Sequence, residues 1–284
     1  MNKHKRFESA KTALSLGHHL YLVGPAGCGK STMSKQLAGE LGLEYSFMSL
    51  CEETTKTDIV GYKSPHDGLV VKTPFRERYE NGGVIFLDEY DASNPNIVIL
   101  LNAALSDDYG YFPDGNVRKH PDFRCVAAGN TIGSGANRLY MGRSPVDGAA
   151  KDRFVFISMD YDEALERSLT DNQPWVTDIL SIRKAIQDLG ISHIVSPRAT
   201  IQGAQALNAG IEYQEVLDMY VWKGLDQATI MKISDRALKS AKPVVETTTE
   251  EKPSGSTEPK GAETYELPDV VSKWVEMATS RRVQ

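Results

Sequence analysis

Gly24-Pro25-Ala26-Gly27-Cys28-Gly29-Lys30-Ser31, followed by Thr32, sets glycines, a lysine and hydroxyls between the apolar run Leu20-Tyr21-Leu22-Val23 and a helix-prone stretch from Ser31 to Leu41. A strand that ends in glycines leaves consecutive backbone N–H groups free to converge on an anion, and the start of the next helix adds its partial positive charge. In that setting Gly24 to Thr32 cradle the phosphates of a nucleoside triphosphate, Lys30 reaches the outer phosphates and Ser31 ligates Mg²⁺. A plain glycine turn between any strand and any helix is the duller account; it does not call for Lys30-Ser31 at the helix start.

A second constellation is Val84-Ile85-Phe86-Leu87-Asp88-Glu89, four apolar residues running into two carboxylates. A continuous apolar run suits a strand buried on both faces of a parallel sheet, which would deliver the acids at its carboxyl end. Beside the phosphate loop, Asp88 would hold Mg²⁺ through water and Glu89 would polarise the attacking water as general base. An ordinary strand with a solvated acidic turn is the competitor. Loop and acids together imply hydrolysis as well as binding. Asp91 extends the acidic group without a catalytic role of its own: it either caps the helix beginning near Asn94 or is solvated.

The elements that must position these groups follow from the hydrophobic pattern. Ser9 to Leu16 reads as a short helix, Leu20 to Val23 as the first strand, and Ser31 to Leu41 as a helix with Met33, Leu37 and Leu41 on one face. Tyr45 to Leu50, Val84 to Leu87, Phe123 to Ala128 and Phe154 to Met159 supply further strands, and Asn94-Pro95 opens a helix containing Ile97, Ile99, Leu100, Leu101 and Leu105. Alternation of strands and helices predicts a three-layer α/β domain of the P-loop type around a parallel sheet, over residues 1–160. Beyond Asp162 helical signals take over: Ile179, Ile182 and Ile186 at helical spacing, then Ser196-Pro197-Arg198 as a helix start with Ile201, Ala204 and Leu207 on one face. Further helices are expected over Glu212 to Trp222 and Gln227 to Ser240. This gives a small all-helical lid domain over 161–242. Residues 243–268 are rich in Thr, Glu, Pro, Ser and Gly and read as a disordered linker. Val270, Val271, Trp274, Val275 and Met277 then form an apolar stripe on a terminal helix, 269–284, which either folds back or docks a partner.

The order of these elements resembles an AAA+ ATPase, and within that superfamily the MoxR and CobS-type group. Gly61 to Phe75, Tyr79-Glu80-Asn81-Gly82-Gly83 and the Asp88-Glu89 strand are similar to the segment before the acidic motif of CobS-type cobaltochelatase ATPases. Ala127-Ala128-Gly129-Asn130-Thr131 resembles their first sensor, which implies that Asn130 lies near the attacking water. Asp152-Arg153-Phe154 resembles their D-R-F element, making Arg153 the expected arginine finger acting on a neighbour's ATP. A surface pair with Asp152 is the plainer account, and Arg138 and Arg143 are rival fingers. Ser196-Pro197-Arg198-Ala199 resembles the second sensor, with Arg198 reaching the γ-phosphate. The resemblance covers roughly residues 6 to 240 and implies ATP and Mg²⁺ as cofactors. It also implies a homo-oligomeric ring, a hexamer, and a protein substrate or a partner carrying a von Willebrand A domain. A metal-chelatase subunit is one specific version. Asp67 to Val71 and Tyr109 to Gly115 read as hairpins; in the resembled group insertions there line the pore or contact substrate, with Tyr111 and Phe112 as aromatic candidates. Ordinary surface aromatics are the alternative.

Bulk properties narrow the alternatives. The chain has 284 residues, enough for one or two domains, with 32 basic and 38 acidic side chains and a net charge of −6. That balance carries no signature of a nucleic-acid binder, which counts against a nucleic-acid motor or restriction-type translocase. A non-hydrolysing nucleotide-dependent adaptor is the remaining competitor, and a GTPase is weaker because no N-K-x-D sequence occurs. Cys28, Cys51 and Cys125 are widely spaced, the pattern of reduced thiols in a cytoplasmic protein. No apolar run approaches the length of a membrane span. Ser9, Lys11 and Thr12 interrupt any signal-like segment after the basic start. The scattered histidines suggest no protein metal centre.

Overall fold

The computed structural model describes residues 2–241 apart from 134, 136–138, 141 and 144. Arg138, the expected linker at 243–268 and the terminal helix at 269–284 lie outside the described residues. The chain divides into two compact units, one of Met1–Leu169 with Ser196–Arg198, and a second that takes Thr170–Val195 and resumes at Ala199.

In the first unit the strands are β1 (His19–Val23), β2 (Tyr45–Ser49), β3 (Tyr62–Lys63), β4 (Val70–Val71), β5 (Gly83–Asp88), β6 (Tyr109–Phe112), β7 (Gly115–Arg118), β8 (Phe123–Gly129) and β9 (Phe154–Ser158). Its helices are α1 (Phe7–Ser15), α2 (Lys30–Glu40), α3 (Lys56–Val60), α4 (Pro74–Asn81), α5 (Pro95–Ser106), α6 (Gly148–Lys151) and α7 (Glu163–Arg167). Five strands pair in the order β2-β5-β8-β1-β9, every neighbour parallel. The period of two along each strand sorts its side chains between two cores. Leu20, Leu22, Val84, Phe86, Val126 and Ala128 pack with Phe7, Leu14, Met33 and Leu37 on one face. Tyr21, Ile85, Leu87, Cys125 and Ala127 pack with Phe75, Tyr79, Ile97 and Leu101 on the other. Those two cores make the three layers, and they explain why Val84 to Leu87 reads as an unbroken apolar run.

Local chemistry fixes the helix starts. The Asn94 side chain accepts from the N–H of Asn96, with Pro95 at the first turn, and Thr73 does the same for Arg76 ahead of Pro74 in α4. Asp91 therefore caps no helix.

The second unit is helical: α8 (Gln173–Asp188), α9 (Pro197–Asn208, whose first residues count with the first unit), α10 (Tyr213–Leu217) and α11 (Gln227–Ala241). Ile179, Ile182 and Ile186 face its core as their spacing predicts. Two expectations shift. The buried stripe of α9 is Ala199, Thr200, Gly203 and Ala204, with Ile201 and Leu207 half-buried, because Trp175 packs there and donates its Nε1–H to the carbonyls of Ala199 and Thr200 at 3.3 and 3.0 Å. The helix expected over Glu212 to Trp222 is α10 followed by a π-helical turn at Asp218–Trp222, which ends in left-handed Lys223 at φ 37°.

Candidate active site

Every strand of the parallel sheet delivers its last residue to one edge, and Lys30, Asp88, Glu89 and Asn130 collect there. β1 ends at Val23 and the chain turns through the phosphate loop into α2, which starts at Lys30. Gly29 precedes it at φ 96°, a left-handed conformation in which glycine carries no Cβ penalty. Ser31 and Thr32 are exposed on the first turn. Lys30 is 8% exposed and folds back over the loop, donating from Nζ to the carbonyls of Gly24 (2.7 Å) and Pro25 (3.2 Å) and to Asn130 Oδ1 (2.9 Å). Cys28 Sγ lies at 4.0 Å as a fourth partner, and burial pulls the Lys30 pKa below its ordinary value. A buried ammonium with neutral hydrogen-bond partners fits an anion in the loop.

Asp88 closes β5 half-buried, and burial raises its pKa; its Oδ1 accepts from the Glu89 N–H at 3.0 Å. The backbone of Glu89 is left-handed, φ 56° and ψ 34°, rare for a non-glycine residue and of the kind that concentrates at functional sites. That conformation turns the chain out of the strand and leaves the Glu89 side chain 38% exposed. Asn130, at the end of β8, bridges the two motifs. Its Oδ1 accepts from Lys30 and its Nδ2 lies 3.5 Å from Glu89 Oε2.

Three residues without a role in the sequence reading join this cluster. Asp91 is fully buried; its Oδ2 accepts from the N–H groups of Asn130 (3.1 Å) and Thr131 (2.9 Å) and from Thr131 Oγ1 (2.8 Å). It is neither a helix cap nor solvated: it anchors the turn that carries Asn130. Gly129 makes room for it, since a Cβ there would lie 2.2 Å from the Tyr21 hydroxyl and 3.0 Å from Asp91 Cγ. Tyr140 and Tyr161 hold one peptide of the phosphate loop, Ala26, whose N–H donates to the Tyr140 hydroxyl (3.1 Å) and whose carbonyl accepts from Tyr161 (3.0 Å). No local pattern announces these contacts; the two tyrosine bonds span 114 and 135 residues in sequence.

The arginines separate. Arg143 pairs with Glu89 Oε2 and, at 3.2 Å, with Asp91 Oδ1, both in its own chain. Arg153 sits elsewhere. It precedes β9, whose Phe154 is in register with His19 at the start of β1, and its guanidinium donates to Ser106 Oγ and the Ala149 carbonyl. The phosphate loop leaves the other end of β1, so the strand length, about 13 Å at ~3.3 Å per residue, separates Arg153 from it. Arg198 is exposed and belongs to the first unit; among the charges acting on Asp88, Arg198 lowers its pKa.

The two small hairpins differ at their aromatics. Along β6 exposure alternates, leaving Tyr111 72% exposed and Phe112 2% exposed. Phe112 packs on Tyr79 beneath the Arg76 guanidinium, 4.2 Å from its ring centroid, so the expected pair of contact aromatics reduces to Tyr111. In the β3–β4 hairpin Tyr62, Leu69 and Val71 are exposed.

Residues 19–154 match the model of the AAA domain, dynein-related subfamily. An uncharacterized protein of Staphylococcus epidermidis is 25% identical over 167 residues, which cover 55% of this chain and 60% of that protein, less than two thirds of its length. An uncharacterized protein of Staphylococcus haemolyticus is 22% identical over 254 residues, 83% of this chain and 93% of that one. Of solved structures, a "putative ATPase" from Cytophaga hutchinsonii aligns at a TM-score of 0.46 and 16% identity, covering 82% of this chain and 88% of its own. NtrX from Brucella abortus aligns at 0.46 and 13%, covering 80% and 52%. Among the described residues no helix is long and apolar enough to cross a membrane. With this strand order, this phosphate loop and the match over 19–154, the first unit has the fold of an AAA+ P-loop core, and the match supports an AAA-type ATPase.

Proposed function

We propose that the chain hydrolyses ATP as a subunit of a homo-oligomeric ring, a hexamer of the MoxR and CobS-like kind, and uses the cycle to remodel or load a protein partner. The convergence of Lys30, Asp88, Glu89 and Asn130 on one sheet edge carries this reading. Bound ATP with Mg²⁺ supplies the phosphoanhydride to be cleaved. The Gly24 to Thr32 loop, through its backbone N–H groups other than at Pro25, and Lys30 would hold its phosphates, and Ser31 and Asp88 its metal. Glu89 takes the proton from the attacking water, Asn130 orients that water, and Arg198 compensates charge from its helix start.

The ring follows from Arg153. Arg153 lies a strand length from its own phosphate loop, so a nucleotide it contacted would be one held by a neighbouring copy, which supports the shared site. A chain bearing a von Willebrand A domain, or a chelatase partner, fits the resemblance, and exposed Tyr111 is the candidate contact for such a protein. Subunit mixing tests the arrangement. Glu89→Gln is expected to lower kcat by about 10²–10⁴ by removing the base, and Arg153→Ala by about 10³–10⁵. Mixed rings of the two variants should regain turnover, because some interfaces then hold an intact Glu89 opposite an intact Arg153. No recovery at any ratio would refute the shared site.

A further inference from the structure

Arg143 has no part in the hydrolysis described above, yet it touches its base. We infer that Arg143 is the positioning residue of Glu89 within the same chain, held in place by Asp91. The inference rests on the reading of Glu89 as general base.

The geometry begins with a side chain that needs holding. Glu89 leaves the strand on a left-handed residue with its carboxylate 38% exposed, so its own backbone does not fix where the two oxygens point. Two donors meet the same oxygen, Oε2: the Arg143 guanidinium and, at 3.5 Å, Asn130 Nδ2. That leaves Oε1 to face a water. Both donors are fixed by one buried carboxylate. Asp91 Oδ1 takes Arg143 at 3.2 Å, while Oδ2 takes the Asn130 N–H at 3.1 Å and the Thr131 N–H and hydroxyl at 2.9 and 2.8 Å.

Charge argues the same way. Glu89 and Asp91 are two anions beside one cation, and Arg143 is only 12% exposed, so removing it leaves two neighbouring carboxylates to repel each other. Glu89, the more exposed of the two, would swing toward solvent. Tyr140, three residues before Arg143 in sequence, accepts from the Ala26 N–H of the phosphate loop. A guanidinium engaged in this way serves its own chain's acid, in contrast to Arg153 at the opposite edge.

Full-length Arg143→Met and Arg143→Lys test this. Arg143→Met should lower kcat about 10- to 100-fold, the cost of a misplaced catalytic group, with KM for ATP nearly unchanged. Affinity for a fluorescent ATP analogue with Mg²⁺, read by direct titration, should stay within about threefold. Arg143→Lys should recover part of the loss, because one ammonium keeps the charge but does not span both carboxylates. Mixing Arg143→Met with Glu89→Gln should restore nothing, since both lesions disable their own site. Wild-type kcat in Arg143→Met, a tenfold loss of analogue affinity, or recovery on mixing would each overturn the inference. If Arg143→Met melts below the assay temperature, Arg143→Lys decides: a reduced kcat with near-native melting supports the inference and a wild-type kcat overturns it. Turnover at the wild-type rate in Glu89→Gln is a different failure. It removes the base reading itself before Arg143 is at issue.

Discussion

The two ends of the central sheet are built from the same five strands and carry opposite chemistry. At the carboxyl edge lie Lys30, Asp88, Glu89, Asp91, Asn130 and Arg143, joined by hydrogen bonds and ion pairs. At the amino edge, His19 sits between the rings of Phe123 and Phe154, with centroids at 5.8 and 6.5 Å, and Nδ1 accepts from the Cys125 N–H at 3.1 Å. Strands that end together open backbone N–H groups and a helix start toward one side, so anions belong there. Strands that begin together expose no such field, and rings fill the space. A cation placed at the amino edge, as Arg153 is, has no phosphate site of its own chain within reach.

The sharpest way to break this comparison is to remove one cation from each end. On the proposed reading, Arg153→Ala lowers turnover by about 10³–10⁵ while nucleotide affinity of the isolated chain is unchanged. Lys30→Ala weakens binding itself by roughly 100-fold, the upper end of what hydrogen bonds to a charged group are worth. Titration with a fluorescent ATP analogue separates the two. If both variants lost affinity equally, the edges would not divide the labour as their geometry suggests.

How much of this was legible in the sequence depends on range. The phosphate loop, the strand Val84 to Leu87 and the acids behind it are local patterns, set by backbone period and glycine conformation, and the fold follows from them. Asp91 and Arg143 are not legible because their partners lie 39 to 54 residues away and nothing in the neighbouring sequence encodes the meeting. The same is true of Tyr140 and Ala26, 114 residues apart. One local clue was available: Gly129 ahead of Asn130 signals crowding, and the crowding comes from Tyr21 and Asp91. The stripe expected on α9 holds at Ala204 and Leu207 but leaves out Ala199 and Gly203, for a related reason. Its bulky Ile201 and Leu207 outrank Ala199 and Gly203 in hydropathy, but Trp175 needs small neighbours, and a Cβ at Gly203 would lie 2.3 Å from its ring.

The amino edge gives the next effect, on stability alone. Burial, aided by Lys119 and Arg124, holds the His19 pKa down at about 4, against 6.5 in the unfolded chain. Above pH 6.5 the ring is neutral in both states and its stabilisation is fully present. As pH falls from 6.5 toward 4, the unfolded chain takes up a proton that the folded chain refuses, so stability is lost across that window. At 1.36 kcal/mol per pH unit this amounts to about 2 kcal/mol at pH 5. Urea midpoints at pH 7 and pH 5 should therefore differ less for His19→Asn, whose amide can still accept from Cys125, than for the wild type. An equal difference in both proteins would mean that another group sets the acid limb.

The smallest expected effect concerns a residue of neither edge. Tyr111 is 72% exposed, with the Lys56 ammonium 5.9 Å from its ring centroid as a neighbour, while Phe112 beside it is 2% exposed. The hairpin that carries them is fixed by the Arg76–Asp114 pair, with contacts at 2.9 and 3.1 Å, so Tyr111 is held outward on a rigid base. Tyr111→Ala should accordingly change unfolding free energy by no more than about 0.5 kcal/mol, the usual range for a surface substitution, as read by urea denaturation. A loss of 2 kcal/mol or more would mean that the ring is packed and contributes to the fold. A negligible loss shows that the fold does not need the ring, as the proposed partner contact requires.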